Sequence, residues 1–167
     1  NMEVIKILDY GSEHQPYFEK FNRQWIEKYF FMEPVDEFVL TEPEEALLKP
    51  GGAILMASYN GEIAGTVALR KVDDNTFEFT KMAVDEKFIR KGIAEALSYA
   101  SFEKAKELGA DKVILYSNGV LAGAIHLYEK LGFKHIPVGN TEYQRSDVKM
   151  EIKVSEIAEL KCKLINQ

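Results

Sequence analysis

Five consecutive residues, Arg90-Lys91-Gly92-Ile93-Ala94, stand where a surface helix ordinarily opens with a Ser, Thr, Asp or Asn cap. Cations and a glycine at a helix entry suit an anion. The first helical turn leaves backbone N–H groups without partners, and the macrodipole adds about half a positive charge there. Phosphate is the usual ligand of such a turn. Gly92 would let the backbone approach closely, Ala94 keeps the turn uncrowded, and Arg90 and Lys91 add charge. A solvated basic helix entry is the plainer alternative. The stretch is not a dinucleotide fingerprint, which needs further glycines, nor a P-loop, in which Gly-Lys precedes Ser or Thr. The second chemical group is Glu78 in TFEFTKMAV. Strand alternation puts it on the opposite face from Phe77 and Phe79, and a carboxylate on a central strand is costly to bury unpaired. A solvated position, or an ion pair with Arg70 or Lys81, would equally account for it.

The elements that must position these groups follow from periodicity. EVIKIL alternates as a first strand. A helix follows with Ser12 as its expected N-cap and an aromatic stripe of Phe18, Phe21, Trp25 and Tyr29, read as helix core. Pro34, Pro43 and Pro50 then predict loops around one short helix near residues 44–49. AILMASY, IAGTVALRKVD and TFEFTKMAV are three successive strands, joined by an Asn60-Gly61 hairpin turn and an Asp73-Asp74-Asn75 turn. A helix over about 92–108 ends at Gly109, DKVILYS is a fifth strand, and LAGAIHLYEKLG is a second helix of the same plan. FKHIPV and DVKMEI form a last strand pair, and Ser155 opens a short C-terminal helix over 155–165. The result is an α/β fold: a mixed, mostly antiparallel sheet flanked by helices. The fourth and fifth strands form its parallel pair, because a parallel neighbour needs a crossover helix. Residues 2–167 read as one domain.

Composition narrows the function. The chain has 167 residues, is 46% hydrophobic and 29% charged, and has a net charge of -6, against general nucleic-acid binding. One cysteine, Cys162, excludes an intramolecular disulfide framework and a thiolate metal cluster. His14, His126 and His135 show no metal spacing, so no metal site is expected. No apolar run reaches the roughly 18 residues of a membrane span and no leader pattern is seen, so a cytoplasmic location is expected.

FEFTKMAVDEKFIRKGIAEAL followed by SNGVLAGAIHLYEKLGF resembles the GNAT superfamily of acyl-CoA-dependent N-acyltransferases, in order and spacing over most of the chain. The resemblance implies that the pyrophosphate of coenzyme A lies on the turn of Arg90, Lys91, Gly92, Ile93 and Ala94, with acetyl-CoA as the cofactor. Ile89 departs from the Gln or Arg usual three places before the glycine, which leaves binding to the backbone amides and Lys91. It further implies a bulged fourth strand, with Met82, Ala83 and Val84 along the cofactor and the amide of Ala83 or Val84 at the oxyanion. Glu78 is implied as the base, directly or through water. Tyr128 falls on the tyrosine that protonates the departing thiolate, and Asn118 bonds the pantetheine arm or fixes its loop. The acceptor is expected between the early helices and the last loop. There Glu33 and Asp36 could hold an ammonium, and Arg145, with Tyr143 nearby, a carboxylate. That suits a small amine, amino acid or peptide, attacked directly through a tetrahedral intermediate. A longer acyl donor and a non-catalytic acyl-CoA-binding module stay open. The apolar face of the C-terminal helix is compatible with a homodimer.

Overall fold

The computed structural model describes residues 4–157. Seven strands form one sheet in the order β1-β2-β3-β4-β5-β7-β6, so β4 (Thr76–Val84) lies at its centre. β1 (Ile5–Asp9), β2 (Ala53–Tyr59), β3 (Glu62–Lys71) and β4 run antiparallel. Asn60 and Gly61 both take positive φ in the β2–β3 turn, the mirror-image turn that matches strand twist. β5 (Lys112–Ser117) is parallel to β4, and β7 (Val148–Lys153) is antiparallel to β5 and to β6 (Lys134–Ile136). The fold class expected from the pattern is the one found.

Helices cover both faces. α1 (Gln15–Tyr29) and α2 (Pro34–Thr41) close one core, in which Phe18, Ile26, Leu40 and Leu47 meet Ile54, Met56 and Ala68. α3 (Ile93–Glu107) and α4 (Ala122–Leu131) close the other, centred on Leu97, Phe102, Phe77, Phe79 and Phe133. Gly65 on β3 sets how closely α3 sits: a Cβ there would meet Ile93 and Leu97 at 3.1 Å. The first turn of α3 is thereby held down on β3.

Two local expectations are corrected. Ser12 does not cap α1; it belongs to a 3-10 turn, Ser12–His14, that precedes the helix. α2 occupies a stretch expected to be loop. Pro34 sits in its first turn, where a missing N–H costs nothing, so it starts a helix here. The helix expected near 44–49 is a π-helical turn, Glu44–Leu48. Residues 154–157 are helical, and the rest of the expected 155–165 helix, with Cys162, lies outside the described residues. Among the described residues no helix is long and apolar enough to cross a membrane.

Candidate active site

The sheet opens beside Glu78. β4 and β5 pair only over Thr76–Lys112, Phe77–Val113 and Glu78–Ile114. Beyond that point the strands part, and a cavity of about 140 Å³ lies between Glu78–Met82 on one side and Leu115–Ser117 on the other. Asn22, Trp25 and Ile26 of α1 wall it on the β1–β4 side, Tyr128 of α4 and Asn118 on the β5 side, and Tyr143 and Arg145 of the β6–β7 loop complete the lining. Glu78, Met82, Asn118, Tyr128, Tyr143 and Arg145, singled out separately from sequence, therefore share one space.

Glu78 is 2% exposed and takes a 2.9 Å hydrogen bond from Nε of Arg70, its cross-strand partner. Burial pushes its pKa up, and the Arg70 charge opposes this without cancelling it. The ion pair with Arg70 and the placement in the cavity hold together, so the two readings of this residue are not exclusive. Tyr128 is also buried; its ring packs edge-on to Phe79 and Phe133, and desolvation pushes its phenol up to about 12. It therefore keeps its proton at neutral pH.

The bulge expected on β4 is present. Ala68 faces Thr80 while Thr66 faces Ala83, so one β3 residue opposes Lys81 and Met82 together. Lys81 carries the distortion at φ 53°. Ala83 and Val84 follow the bulge outside the cavity lining; Ala83 is buried, and the Val84 carbonyl accepts a 2.8 Å bond from Nε1 of Trp25. The aromatic stripe of α1 thus divides: Phe18 and Phe21 are core, Trp25 faces the cavity and Tyr29 is exposed, stacked on Trp25.

A short 3-10 turn, Glu86–Phe88, leads from β4 to the entry of α3. Gly92 is the N-cap residue in the left-handed region at φ 85°, and no side chain caps the helix. Beyond its chain neighbours, a Cβ at Gly92 would meet only Ile5 Cδ1, at 3.9 Å, so there is room beside this residue. Lys87, Arg90 and Lys91, just before it in the chain, are exposed, and Ile93 is buried. The Arg90–Ala94 stretch is thus a helix N-terminus with no side-chain cap, preceded by exposed cations.

On the acceptor side the expected residues meet, with different partners. Arg145 donates from Nη1 to Glu33 and Asp36, both at 2.7 Å, and from Nη2 to Asp36 at 2.9 Å. Asp36 is fully buried and also accepts from Lys81 Nζ at 2.9 Å and from the Glu33 amide at 3.0 Å. Burial alone would raise its pKa, but Arg145 and Lys81 outweigh this and hold it down at about 2. Glu33 and Asp36, expected to face a ligand ammonium, bond protein groups here: Glu33 accepts from Arg145 and from the Gln144 amide, and Asp36 from Arg145 and Lys81. Asn118 likewise serves its loop, donating to the Arg145 carbonyl at 2.6 Å and accepting from the Val120 amide. Lys81, Trp25 and Arg70 are the site residues that sequence reading missed or left as mere partners. His126 is exposed, and among the described residues no group of His, Cys, Asp and Glu could hold a metal.

Known proteins share the fold. Residues 15–133 match the profile of the acetyltransferase (GNAT) family. The N-acetylaspartate synthetase of Rattus norvegicus is 37% identical over 99 residues, 58% of this chain and 33% of that protein. The chain thus spans about a third of the length of that curated relative. A GNAT-family acetyltransferase from Staphylococcus aureus superposes with a TM-score of 0.82 at 21% identity, over 90% of this chain and 99% of the other. Salmonella typhimurium yncA, solved with its cofactor acetyl-CoA, gives 0.71 at 18% identity, over 90% and 94%. With the family profile covering most of the described residues, the chain belongs to the acetyltransferase (GNAT) family.

Proposed function

We propose that the chain moves an acetyl group from acetyl-CoA to the primary amine of a small metabolite, amino acid or peptide. The observation that carries this reading is one cavity, opened by the parting of β4 and β5, that holds a buried carboxylate and a buried phenol together. The residues fit the cofactor. The open first turn of α3, with space at Gly92 and cations beside it, suits a pyrophosphate held by the amides of Lys91, Gly92, Ile93 and Ala94. Arg90 adds charge from the surface. Met82, Ala83 and Val84 run from the cavity toward that turn, and the backbone N–H groups at and after the bulge serve the oxyanion. The acetyl-CoA in the Salmonella structure of the same fold supports this choice.

Bound acetyl-CoA supplies a thioester carbonyl open to attack by an amine. Glu78 takes the amine proton, directly or through water, and its raised pKa suits a base working near neutrality. Tyr128, still protonated, gives its proton to the departing sulfur. Holding amine and thioester face to face supplies much of the rate. Arg145 engages Glu33 and Asp36 through its two terminal nitrogens, which leaves its Nε–H for an acceptor carboxylate, with Tyr143 packed 5.0 Å from the guanidinium. The named activity of the rat relative, synthesis of an N-acetylated amino acid, supports a carboxylate-bearing acceptor. A module that only binds acyl-CoA needs neither the buried carboxylate nor the phenol.

The test is thiol release from acetyl-CoA with amino acids, dipeptides, neutral amines and polyamines as acceptors. Acceptor-dependent release strongest with amines that carry a carboxylate is expected. Release independent of every acceptor overturns the transferase reading, and release strongest with polyamines or neutral amines overturns the carboxylate-bearing acceptor.

A further inference from the structure

Among the described residues, three that are not glycine have positive φ: Asn60 in a hairpin turn, Arg90 in the entry to α3, and Lys81 in the middle of the central strand. A glycine would take that conformation without strain, whereas a lysine there is strained unless its surroundings hold it. Here they do. The Lys81 side chain is 4% exposed, its ammonium lies 2.9 Å from an oxygen of fully buried Asp36, and the Tyr143 ring is 4.8 Å away. A buried cation at a strained backbone position breaks two rules at once, and such places concentrate at functional sites.

The bulge is fastened from one face at two points. On α2, Asp36 grips the Lys81 side chain; on α1, Trp25 grips the Val84 carbonyl. The same Asp36 carboxylate holds Arg145, the residue offered above to the acceptor. One carboxylate therefore joins the β4 bulge, which borders the reacting carbonyl, to the loop that would receive the acceptor.

We propose that Lys81 is a positioning residue: its ion pair with Asp36 fixes the bulge so that the backbone of residues 81–82 faces the cavity in a single arrangement. The catalytic part of this statement rests on the transferase reading; the fastening of the bulge does not. In Lys81→Met the shape is kept and the ammonium lost, while Asp36 remains satisfied by Arg145 and the Glu33 amide. Loss of the tether should free the bulge without unfolding the domain.

The experiment follows backbone hydrogen exchange at residues 80–83 in the free protein, then kcat and KM. For Lys81→Met, exchange at 80–83 should quicken about tenfold with no change elsewhere in β4. Under the transferase reading, kcat should fall about tenfold or more while KM for acetyl-CoA stays within about twofold. Lys81→Arg, whose guanidinium also reaches a carboxylate, should restore most of both. Unchanged exchange at 80–83 in Lys81→Met overturns the proposal, as does failure of Lys81→Arg to restore what Met removes. Should the methionine variant not fold, Lys81→Gln is read by the same two criteria. Faster exchange in a protein that transfers no acetyl group upholds the fastening and sinks the transferase reading alone.

Discussion

Replacing Gly92 by Asp separates the anion site from the stability of the fold. At φ 85° a side chain costs roughly 1–2 kcal/mol of left-handed strain, and no steric clash adds to it because the nearest atom lies 3.9 Å away. An aspartate at the N-cap returns about 0.5–1 kcal/mol through the first-turn amides and the macrodipole. The net loss is then about 1 kcal/mol, which lowers Tm by about 2–4 °C for a chain of this size. The effect on the anion is larger. A carboxylate about 5 Å from a doubly charged pyrophosphate, at an effective dielectric of about 40–80, adds about 2–3 kcal/mol of repulsion. Affinity for coenzyme A should fall about 30- to 150-fold. Titration calorimetry reads the affinity and a thermal melt reads the stability. Gly92→Ala carries the strain without the charge and should lose less than about fivefold in affinity. Coenzyme A binding by the aspartate variant at wild-type strength would refute the site, and an equal loss in the alanine variant would refute the electrostatic reasoning.

Three further outcomes follow from the site. Glu78→Gln should lower kcat by about 10²–10⁴ and erase the limb of the pH–rate profile that rises through the raised carboxyl pKa; a limb that persists assigns the base elsewhere. Tyr128→Phe keeps the packing on Phe79 and Phe133, so Tm should hold while kcat falls about tenfold or more; full turnover removes the acid role. Asp36 binds its proton less readily folded, near 2, than at its ordinary 3.8, so its contribution is complete above about pH 4 and lost as pH falls through 2. That difference is worth about 2 kcal/mol, and Asp36→Asn should flatten the acid slope of unfolding stability in that window. A slope unchanged by the substitution would place the acid sensitivity elsewhere.

What the sequence made legible was what is encoded locally. The glycine turn, Glu78 on its strand and Tyr128 on its helix all sit within short periodic segments, and their places in the structure match. Long-range pairing left no such trace. Arg145 and Asp36 are 109 residues apart, and nothing in either neighbourhood tells a solvated charge from a buried pair. The sequence offers the two acids to a ligand as readily as to the protein cation, Arg145, that bonds both of them. α2 was hidden because proline is a stop signal inside a helix and a start signal at its first turn, and only the fold says which. Lys81 was hidden because a bulge shifts the period of two, so alternation read along KMAV gives no sign of where the register slips.

The parting of β4 from β5 also makes the sheet a lever. Its two leaves, β1–β4 and β5–β7, are hinged on three residue pairs at one end, where Phe77 and Val113 are 1% and 0% exposed. From Glu78 to Val84 the free arm extends about 20 Å at the usual strand rise. A change of about 5° at the hinge therefore moves the lip by about 2 Å, more than the margin within which reacting groups must be held. The side chains at this hinge, Phe77 and Val113, are buried and lie outside the cavity lining, so their bulk would set the gape of the cleft from a distance.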